Sequence, residues 1–292
     1  MTLETAFAIL LSATISGSLY AMMASGLSLV WGTLGVFNFA HGSLLLLAAY
    51  VAWTVGKVGG PAVQGPLAIA VMLAAMAVFG FLLYLTTVRP LIGRSNAELA
   101  VIISTISAMI IIRNVVQFAW GPLPKQVPAL GSSSITVFGT VISSHQIVVI
   151  LIGPLLLLGI AAFLKFARVG LAVRSVEQNP DAALLVGVNP QFIYALVFAA
   201  SAVLAAIAGY LLAGIQFLTP DFGGDPLLKA FIVIVLGGLN SLLGAFVAAY
   251  VVGLIEALAI FFLGLFWAPV ILFVVIIVVL LVRPQGLLGG AR

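Results

Sequence analysis

Long apolar runs, separated by short segments that hold most of the charged residues, organise this chain from end to end. Most of the runs approach the ~20 residues that an α-helix needs to cross the hydrocarbon core of a bilayer. They cover residues 6–31, 36–55, 67–88, 99–118, 146–164, 191–213, 227–238, 243–264 and 267–282. The seventh run has only 12 residues, too few to span a bilayer alone. The pattern therefore predicts an all-α, polytopic transmembrane helical bundle of about eight spans, with broken helices and a further short half-helix.

The composition indicates the same class of protein. Apolar residues make up 64% of the 292 positions and charged residues 6%, against roughly 25% charged in ordinary soluble domains. A water-soluble fold could not bury so much apolar surface. The chain has no cysteine and only two histidines, which excludes disulfides and thiolate ligands and argues against a zinc site. We therefore expect no metal or other cofactor and, because the basic residues are scattered, no nucleic-acid partner.

The basic residues set the expected orientation in the membrane. Seven of the eleven Lys and Arg residues fall in the segments 89–98, 165–190 and 283–292, which the positive-inside rule places in the cytoplasm. The segment 119–145 then lies outside, where the alternating sequence ITVFGTVI predicts a small hairpin. The N-terminus lies outside if the short run crosses the membrane. If that run is re-entrant, one terminus changes sides.

The sequence GVFNFAHGS, from Gly35 to Ser43, interrupts the apolar pattern. Asn38 and His41 are three residues apart and would share one face of a helix. Gly35 and Gly42 on either side of them make local unwinding easy. Broken helices are tolerated at membrane depth where they line a cavity, as at transport sites. The alternative is an interfacial turn whose polar groups are satisfied by nearby backbone, but we favour the lining role for Asn38 and His41.

A second stretch in the other half of the chain repeats this pattern. Both stretches fit G-x-x-N-x-x-x-G, with Gly237, Asn240 and Gly244 at the matching positions of the second one. Each is followed by an apolar run that contains Ala-Ala-Tyr. Corresponding interruptions in two halves of a transport protein point to a binding region. For Asn240, an interfacial turn is an equal alternative.

Glu256 is the other anomaly, because it lies near the middle of the run 243–264, where an ionised carboxylate is costly. It can stay protonated, face a wet cavity or pair with a cation, for which Arg113 is one candidate. A role in a pathway and a role as a buried interhelical hydrogen-bonding group are equally open. The predicted substrate pathway consists of Gly35, Asn38, His41, Gly42, Gly237, Asn240, Gly244 and Glu256.

The cytoplasmic segment at about 165–190 contains the signals of a short capped helix. Asn179 can cap the helix, and Pro180 suits its first position. Gly187 suits its C-terminal stop. The helix would have about two turns and would expose an apolar surface. This surface either packs on the base of the bundle or enters a socket on another protein. The residues predicted to take part are Arg174, Glu177, Asn179, Pro180, Asp181, Leu184, Leu185 and Gly187.

The sequence GLAVRSVEQNPDAALLVGVN, at 170–189, resembles the coupling-loop region of branched-chain amino acid ABC transporter permeases. NFAHG at 38–42 and GGLNSLLGA at 237–245 are similar to other recurrent stretches of that family, in the expected order. The resemblance implies a single permease domain over 1–292, in the bacterial inner membrane, that forms half of a translocation path for branched-chain or other small amino acids. As partners it implies a second, homologous permease, two cytoplasmic ABC ATPases and an extracytoplasmic substrate-binding protein.

The same resemblance implies roles for particular residues. The helix at 179–187 would contact an ATPase, and residues 38–42 would belong to the translocation path. Permeases of urea and short-chain amide importers are close relatives, so the substrate stays open. Ser43 departs from the family pattern, in which an acidic residue follows NFAHG, and this weakens any role for a charge at that position.

Two other classes of protein compete with a permease. An ion-coupled secondary carrier would suit Glu256 and the repeat, but it does not require a capped cytoplasmic helix. An intramembrane enzyme would need His41 and Glu256 as acid and base, without a nucleophile or a metal cluster. No G-x-x-x-x-G-K-[ST] loop occurs in the sequence, so any ATP hydrolysis would take place in partner subunits. We therefore expect a translocation subunit and not an enzyme.

Overall fold

The computed structural model describes residues 2–59, 66–131, 133–283 and 285–288. Within those ranges the chain forms eleven α-helices and one β-hairpin. The helices are α1 (Leu3–Leu34), α2 (His41–Gly59), α3 (Pro66–Leu83), α4 (Ala97–Trp120), α5 (Ser144–Phe166), α6 (Arg168–Gln178), α7 (Pro180–Leu185), α8 (Pro190–Ala213), α9 (Gly224–Gly237), α10 (Leu242–Leu263) and α11 (Ala268–Val282). A π-helical turn and a 3-10 turn extend α3 as far as Leu91.

The predicted polytopic helical bundle is confirmed. In the described part of the chain, 7 helices are long and apolar enough to span a membrane, namely α1, α2, α3 with its extension, α4, α5, α8 and α10. The expected eight spans included α11, whose helix has only 15 residues. The predicted short half-helix corresponds to α9, which has 14 residues.

The predicted hairpin is also present. Its strands are β1 (Ser134–Val137) and β2 (Thr140–Ser143), which pair antiparallel with Ile135 opposite Ile142. Phe138 and Gly139 form the turn, with φ angles of 47° and 81°. Positive φ at both central residues is the turn geometry that matches the twist of a two-residue hairpin. Arg292, one of the basic residues used for the orientation, lies outside the described residues.

The chain divides into two compact units. Unit 1 consists of Met1–Ser28, Ala129–Leu157 and Leu228–Arg292. Unit 2 consists of Leu29–Pro128 and Leu158–Leu227. Because α1, α5 and α9 each contribute to both units, neither unit is one continuous segment. The single permease domain over 1–292 stays a prediction.

In unit 2, α8 packs closely against α2 and α3 at glycines. A Cβ on Gly80 of α3 would lie 2.7 Å from the carbonyl oxygen of Phe198. A Cβ on Gly209 of α8 would lie 3.0 Å from Cγ of Leu45. Small residues let helix backbones approach in this way in lipid, where packing rather than the hydrophobic effect drives helix association. The resulting tight core holds α2 at a defined height against α8.

In unit 1, α1 and α10 approach each other by the same means. A Cβ on Gly253 would lie 2.6 Å from the carbonyl oxygen of Ala13, and one on Gly17 would lie 2.8 Å from Cδ1 of Tyr250. A hydrogen bond of 3.0 Å joins the hydroxyls of Ser18 and Tyr250. Small residues on both helices therefore bring polar side chains within reach of each other across the contact.

Candidate functional site

The GVFNFAHGS stretch forms a break between two helices. α1 ends at Leu34, and Gly35 follows with a φ of 69°, a conformation that glycine adopts without steric cost. The last turns of α1 lie near α6, since a Cβ on Gly32 would be 3.1 Å from Oε1 of Glu177. Residues 36–38 have no regular structure, and α2 begins only at His41. The helix therefore starts five residues later than the apolar run beginning at 36 predicts.

The break lies well inside the span of the neighbouring helices. The backbone N–H of Phe39 donates to Oγ1 of Thr105, the ninth residue of the 24-residue helix α4, at 3.3 Å. Nδ1 of His41 lies 3.2 Å from Oγ of Ser201, the twelfth of the 24 residues of α8. The hydroxyl of Ser43 donates to the carbonyl of Met109 at 3.1 Å. α2 therefore begins level with the middle of α8, a helix long and apolar enough to span a membrane.

Asn38 is buried at this break, with 1% of its surface exposed. Its Oδ1 accepts a hydrogen bond of 3.1 Å from the backbone N–H of Ala40. Its Nδ2 has no hydrogen-bond partner within the described ranges. Because Asn38 precedes the helix, the prediction that Asn38 and His41 share a helix face is wrong. Asn38 instead accepts a hydrogen bond from the backbone just before α2. Its buried Nδ2 donor is left without a partner among the described residues.

Gly42 is a point of close backbone contact and not of unwinding. A Cβ on Gly42 would overlap the carbonyl oxygen of Gly223 and would lie 2.9 Å from Cβ of Leu227. Gly223 comes directly before α9, so the first turn of α2 meets the first turn of α9. Within the segment between α8 and α9, Leu218 exchanges two backbone hydrogen bonds of 2.9 Å with Lys125. Two helices thus begin at the same depth in unit 2, each after an irregular segment.

The second stretch, at 237–244, is a tight turn between α9 and α10. A Cβ on Gly237 would overlap the backbone of Gly244, and Gly238 has a φ of 104°. The helix cap is Ser241, whose hydroxyl accepts a hydrogen bond of 2.9 Å from the N–H of Gly244. Asn240 is exposed in this turn. Its pathway role, and those of Gly237 and Gly244, stay predictions.

Glu256 belongs to a buried cluster in unit 1. It is 6% exposed, and its Oε1 accepts from the ammonium of Lys229 at 2.7 Å. Its Oε2 accepts from the hydroxyl of Tyr20, and the Lys229 ammonium lies 5.5 Å from the centre of the Tyr20 ring. The suggested pairing with Arg113 is wrong, because Arg113 pairs with Asp221 instead. Both carboxylate oxygens of Glu256 therefore have hydrogen-bond partners, as a polar side chain inside an apolar helix requires.

The predicted short helix is present as α7, Pro180–Leu185. Oδ1 of Asn179 accepts from the N–H of Ala182 at 2.9 Å, which confirms the predicted cap. Gly187 has a φ of 86°, as the predicted C-terminal stop requires. Ala183 is 2% exposed and anchors the helix, whereas Leu185 is 89% exposed. Leu184 and Val186 are exposed as well, at 58% and 77%.

The remaining predicted residues of this segment surround α7. Asp181 is exposed in its first turn, and Pro180 is its first residue. A guanidinium nitrogen of Arg174 donates to the carbonyl of Lys165 at 3.3 Å. Partial burial raises the pKa of the Glu177 carboxyl above its ordinary value, and Arg174 opposes this shift. Arg174 therefore links α6 to the end of α5, while the apolar tip of α7 stays exposed.

Sequence reasoning missed several residues that complete these sites. Ser201, Thr105 and Gly223 contact the break at Asn38–Gly42, although no local pattern connects them to it. Tyr20 lies in the long helix α1, where no local pattern marks it as a partner for Glu256. Lys229 was recognisable, as a lysine four residues after Asp225 inside the short run. Such a cation within an apolar segment is the one signal that could have suggested a partner for Glu256.

Comparison with known proteins identifies the family. The family model of branched-chain amino acid transport system permease components matches residues 9–281. The high-affinity branched-chain amino acid transport system permease protein BraD of Pseudomonas aeruginosa is 33% identical over 94% of this chain and 92% of its own length. The corresponding protein LivH of Escherichia coli K12 is 31% identical over the same shares. No solved structure matches the chain. This chain belongs to the family of branched-chain amino acid transport system permease components.

Proposed function

We propose that this chain is the permease subunit of an ATP-driven importer and forms half of a translocation path for branched-chain or other small amino acids. It would work in the bacterial inner membrane with a second, homologous permease, two cytoplasmic ABC ATPases and an extracytoplasmic substrate-binding protein. The family and its relatives' names support transport of branched-chain amino acids. The observation that carries the proposal is the break at Asn38–Gly42, which places polar groups halfway along α8.

The break suits a path for a carboxylate-bearing solute. The N-termini of α2 and α9 meet at Gly42 and Gly223, and each helix N-terminus carries a partial positive charge. The buried Nδ2 of Asn38 adds a hydrogen-bond donor without a partner in the described part of the chain. Donors and dipoles at mid-membrane offset part of the hydration that a carboxylate loses on entering. Asn38, His41 and Gly42 would therefore form part of the path.

The tip of α7 suits contact with an ATPase. Leu184, Leu185 and Val186 are exposed together at the end expected to be cytoplasmic, and Ala183 fixes the helix beneath them. Exposed apolar groups of this kind mark an interaction surface. ATP-driven closure of the ATPases would move α7 and shift the bundle between outward-facing and inward-facing states.

The alternative of an ion-coupled carrier loses support from the environment of Glu256. A coupling carboxylate must bind and release its ion during each cycle. Glu256 is instead held by Lys229 and Tyr20 in a cluster with both polar oxygens occupied. An internal ion pair of this kind favours a structural role.

Reconstitution tests the proposed function. The chain, co-expressed with its partner permease, ATPases and binding protein, is placed in proteoliposomes with radiolabelled leucine. We expect uptake that requires ATP and the binding protein and is insensitive to collapse of ion gradients. Leu185→Asp should abolish uptake while the protein still inserts, because it introduces a charge at an apolar contact. Leu185→Met is the matched control and should transport normally.

Two results would contradict the proposal. The first is leucine uptake by this chain without ATPases. The second is normal ATP-driven uptake by the Leu185→Asp variant. That result would show that the tip of α7 does not contact the ATPase.

A further inference from the structure

We propose that Arg113 and Asp221 form a recognition site for the zwitterionic head of an α-amino acid, on the outer side of the break at Asn38–Gly42. Arg113 would bind the substrate carboxylate and Asp221 its ammonium group. This inference rests on the proposed function. It specifies that the transport path recognises the carboxylate and the ammonium group of its substrate.

The two side chains form an ion pair across two elements of unit 2. Nη2 of Arg113 in α4 lies 2.5 Å from Oδ1 of Asp221, in the irregular segment before α9. Both side chains are largely accessible, at 52% and 71%. The pair is therefore not enclosed in the core, and its remaining donor and acceptor atoms can be reached by a ligand.

The position of the pair along the helices places it above the break. Arg113 is eight residues beyond Thr105, the contact of Phe39, which corresponds to about 12 Å along α4. It is seven residues short of Trp120, where α4 ends. Asp221 precedes by two residues Gly223, the contact of Gly42. A solute entering from the expected outer side would meet Arg113 and Asp221 first and the break afterwards.

An exposed ion pair at this depth is not compatible with a lipid-facing surface. Charged side chains within membrane spans face the bundle interior, a water-filled cavity or a partner. Gln117 is exposed one helical turn outward from Arg113, on the same face. Ile111 lies on the opposite side of α4, where it is 61% exposed and suits contact with lipid. Arg113 and Gln117 therefore form a polar strip on the exposed surface of α4, next to the exposed Ile110.

The pair has the charge pattern that an amino-acid zwitterion requires. The carboxylate and ammonium of the substrate sit on one carbon atom, so a cation and an anion in contact can bind both at once. The planar guanidinium of Arg113 suits two-point binding of a carboxylate. A urea or amide molecule, which has no charges, would gain nothing from this arrangement.

The first experiment separates recognition from a structural ion pair. In the reconstituted transporter, the double variant Arg113→Met with Asp221→Leu removes both charges and leaves none unpaired, which protects folding. We expect the leucine moved per ATP hydrolysed to fall roughly tenfold or more, since two charge-assisted interactions with the substrate are lost. ATPase stimulation by the leucine-loaded binding protein should persist. Unchanged leucine transport per ATP in this variant would overturn the proposal.

The second experiment leaves the pair intact and tests the face that carries it. Because the chain has no cysteine, single reporters can be introduced directly. Gln117→Cys should react with a membrane-impermeant thiosulfonate reagent added outside, and leucine-loaded binding protein with ATP should slow the reaction. The control Ile111→Cys should not react. An unreactive Gln117→Cys would show that lipid or the partner permease covers this face, and the proposal would be wrong.

The failure of this inference can be told from failure of the proposed function. If the wild-type complex does not take up leucine with ATP, the proposed function itself is wrong. If the wild-type complex transports leucine and the double variant does so equally well, only the role of Arg113 and Asp221 is wrong.

Discussion

Replacing Gly42 with alanine tests the close contact between the starts of α2 and α9. The added Cβ would overlap the Gly223 carbonyl oxygen and lie 2.9 Å from Cβ of Leu227. Neither atom is the far end of a flexible side chain, so the backbone itself must move. We expect Gly42→Ala to push the two helix N-termini apart and widen the break at mid-membrane.

The size of the effect follows from two opposing contributions. Overpacking in a well-packed core costs about 1–3 kcal/mol. Alanine in a helix is favoured over glycine by roughly 0.5–1 kcal/mol, which offsets part of that cost. The net destabilisation is then about 0–2.5 kcal/mol, with a central value near 1 kcal/mol. At roughly 2–4 °C per kcal/mol, the melting temperature should fall by a few degrees.

Gly159 supplies a matched control. It also lies in a helix of unit 2, within α5, but a Cβ there would meet no atom within 4 Å in the described part of the chain. Gly159→Ala should therefore keep or slightly raise the melting temperature. Both variants are compared by thermal unfolding in detergent, followed through tryptophan fluorescence, and by ATP-driven leucine uptake in proteoliposomes.

If Gly42→Ala unfolds at the wild-type temperature and transports leucine at the wild-type rate, the contact between Gly42 and Gly223 has no structural importance. A loss of stability in Gly159→Ala equal to that in Gly42→Ala would show that the effect comes from any glycine replacement.

Two further predictions concern the carboxylates of Glu256 and Glu177. Glu256→Gln should destabilise the chain by about 3–5 kcal/mol, because it leaves the Lys229 ammonium without its counter-charge. The double variant Glu256→Leu with Lys229→Met should recover much of this loss; equal melting temperatures for the single and double variants would contradict the pairing. Glu177→Gln tests the raised pKa of the Glu177 carboxyl, whose ordinary value is 4.5. Because the folded state favours the protonated form, the cost of Glu177 is present above its folded pKa and disappears as the pH falls towards 4.5. Wild-type protein should thus gain stability relative to Glu177→Gln between pH 7 and pH 4.5, and a pH-independent difference in melting temperature would disprove this.

The helices with local signals were predictable in detail. α7 follows from Asn179, Pro180 and Gly187, because a cap, a fixed φ and a left-handed stop act within a few residues of chain. The hairpin at 134–143 follows from alternation around Phe138-Gly139 for the same reason. Asn240 has the type of residue that caps a helix, but Ser241 takes that role.

Membrane residence and the approximate number of helices were determined by the sequence itself, because an apolar run of span length has no other stable environment. Its polar interruptions identified where the chain departs from helix, including the break at Asn38–Gly42. The partners of these polar groups were decided only by the tertiary structure. Glu256 pairs with Lys229 rather than Arg113, and Gly42 meets Gly223, 181 positions away in the chain. Such pairs depend on the axial position and the rotation of each helix relative to its neighbours. Many small contacts between distant segments determine both, so no single segment of the sequence predicts them.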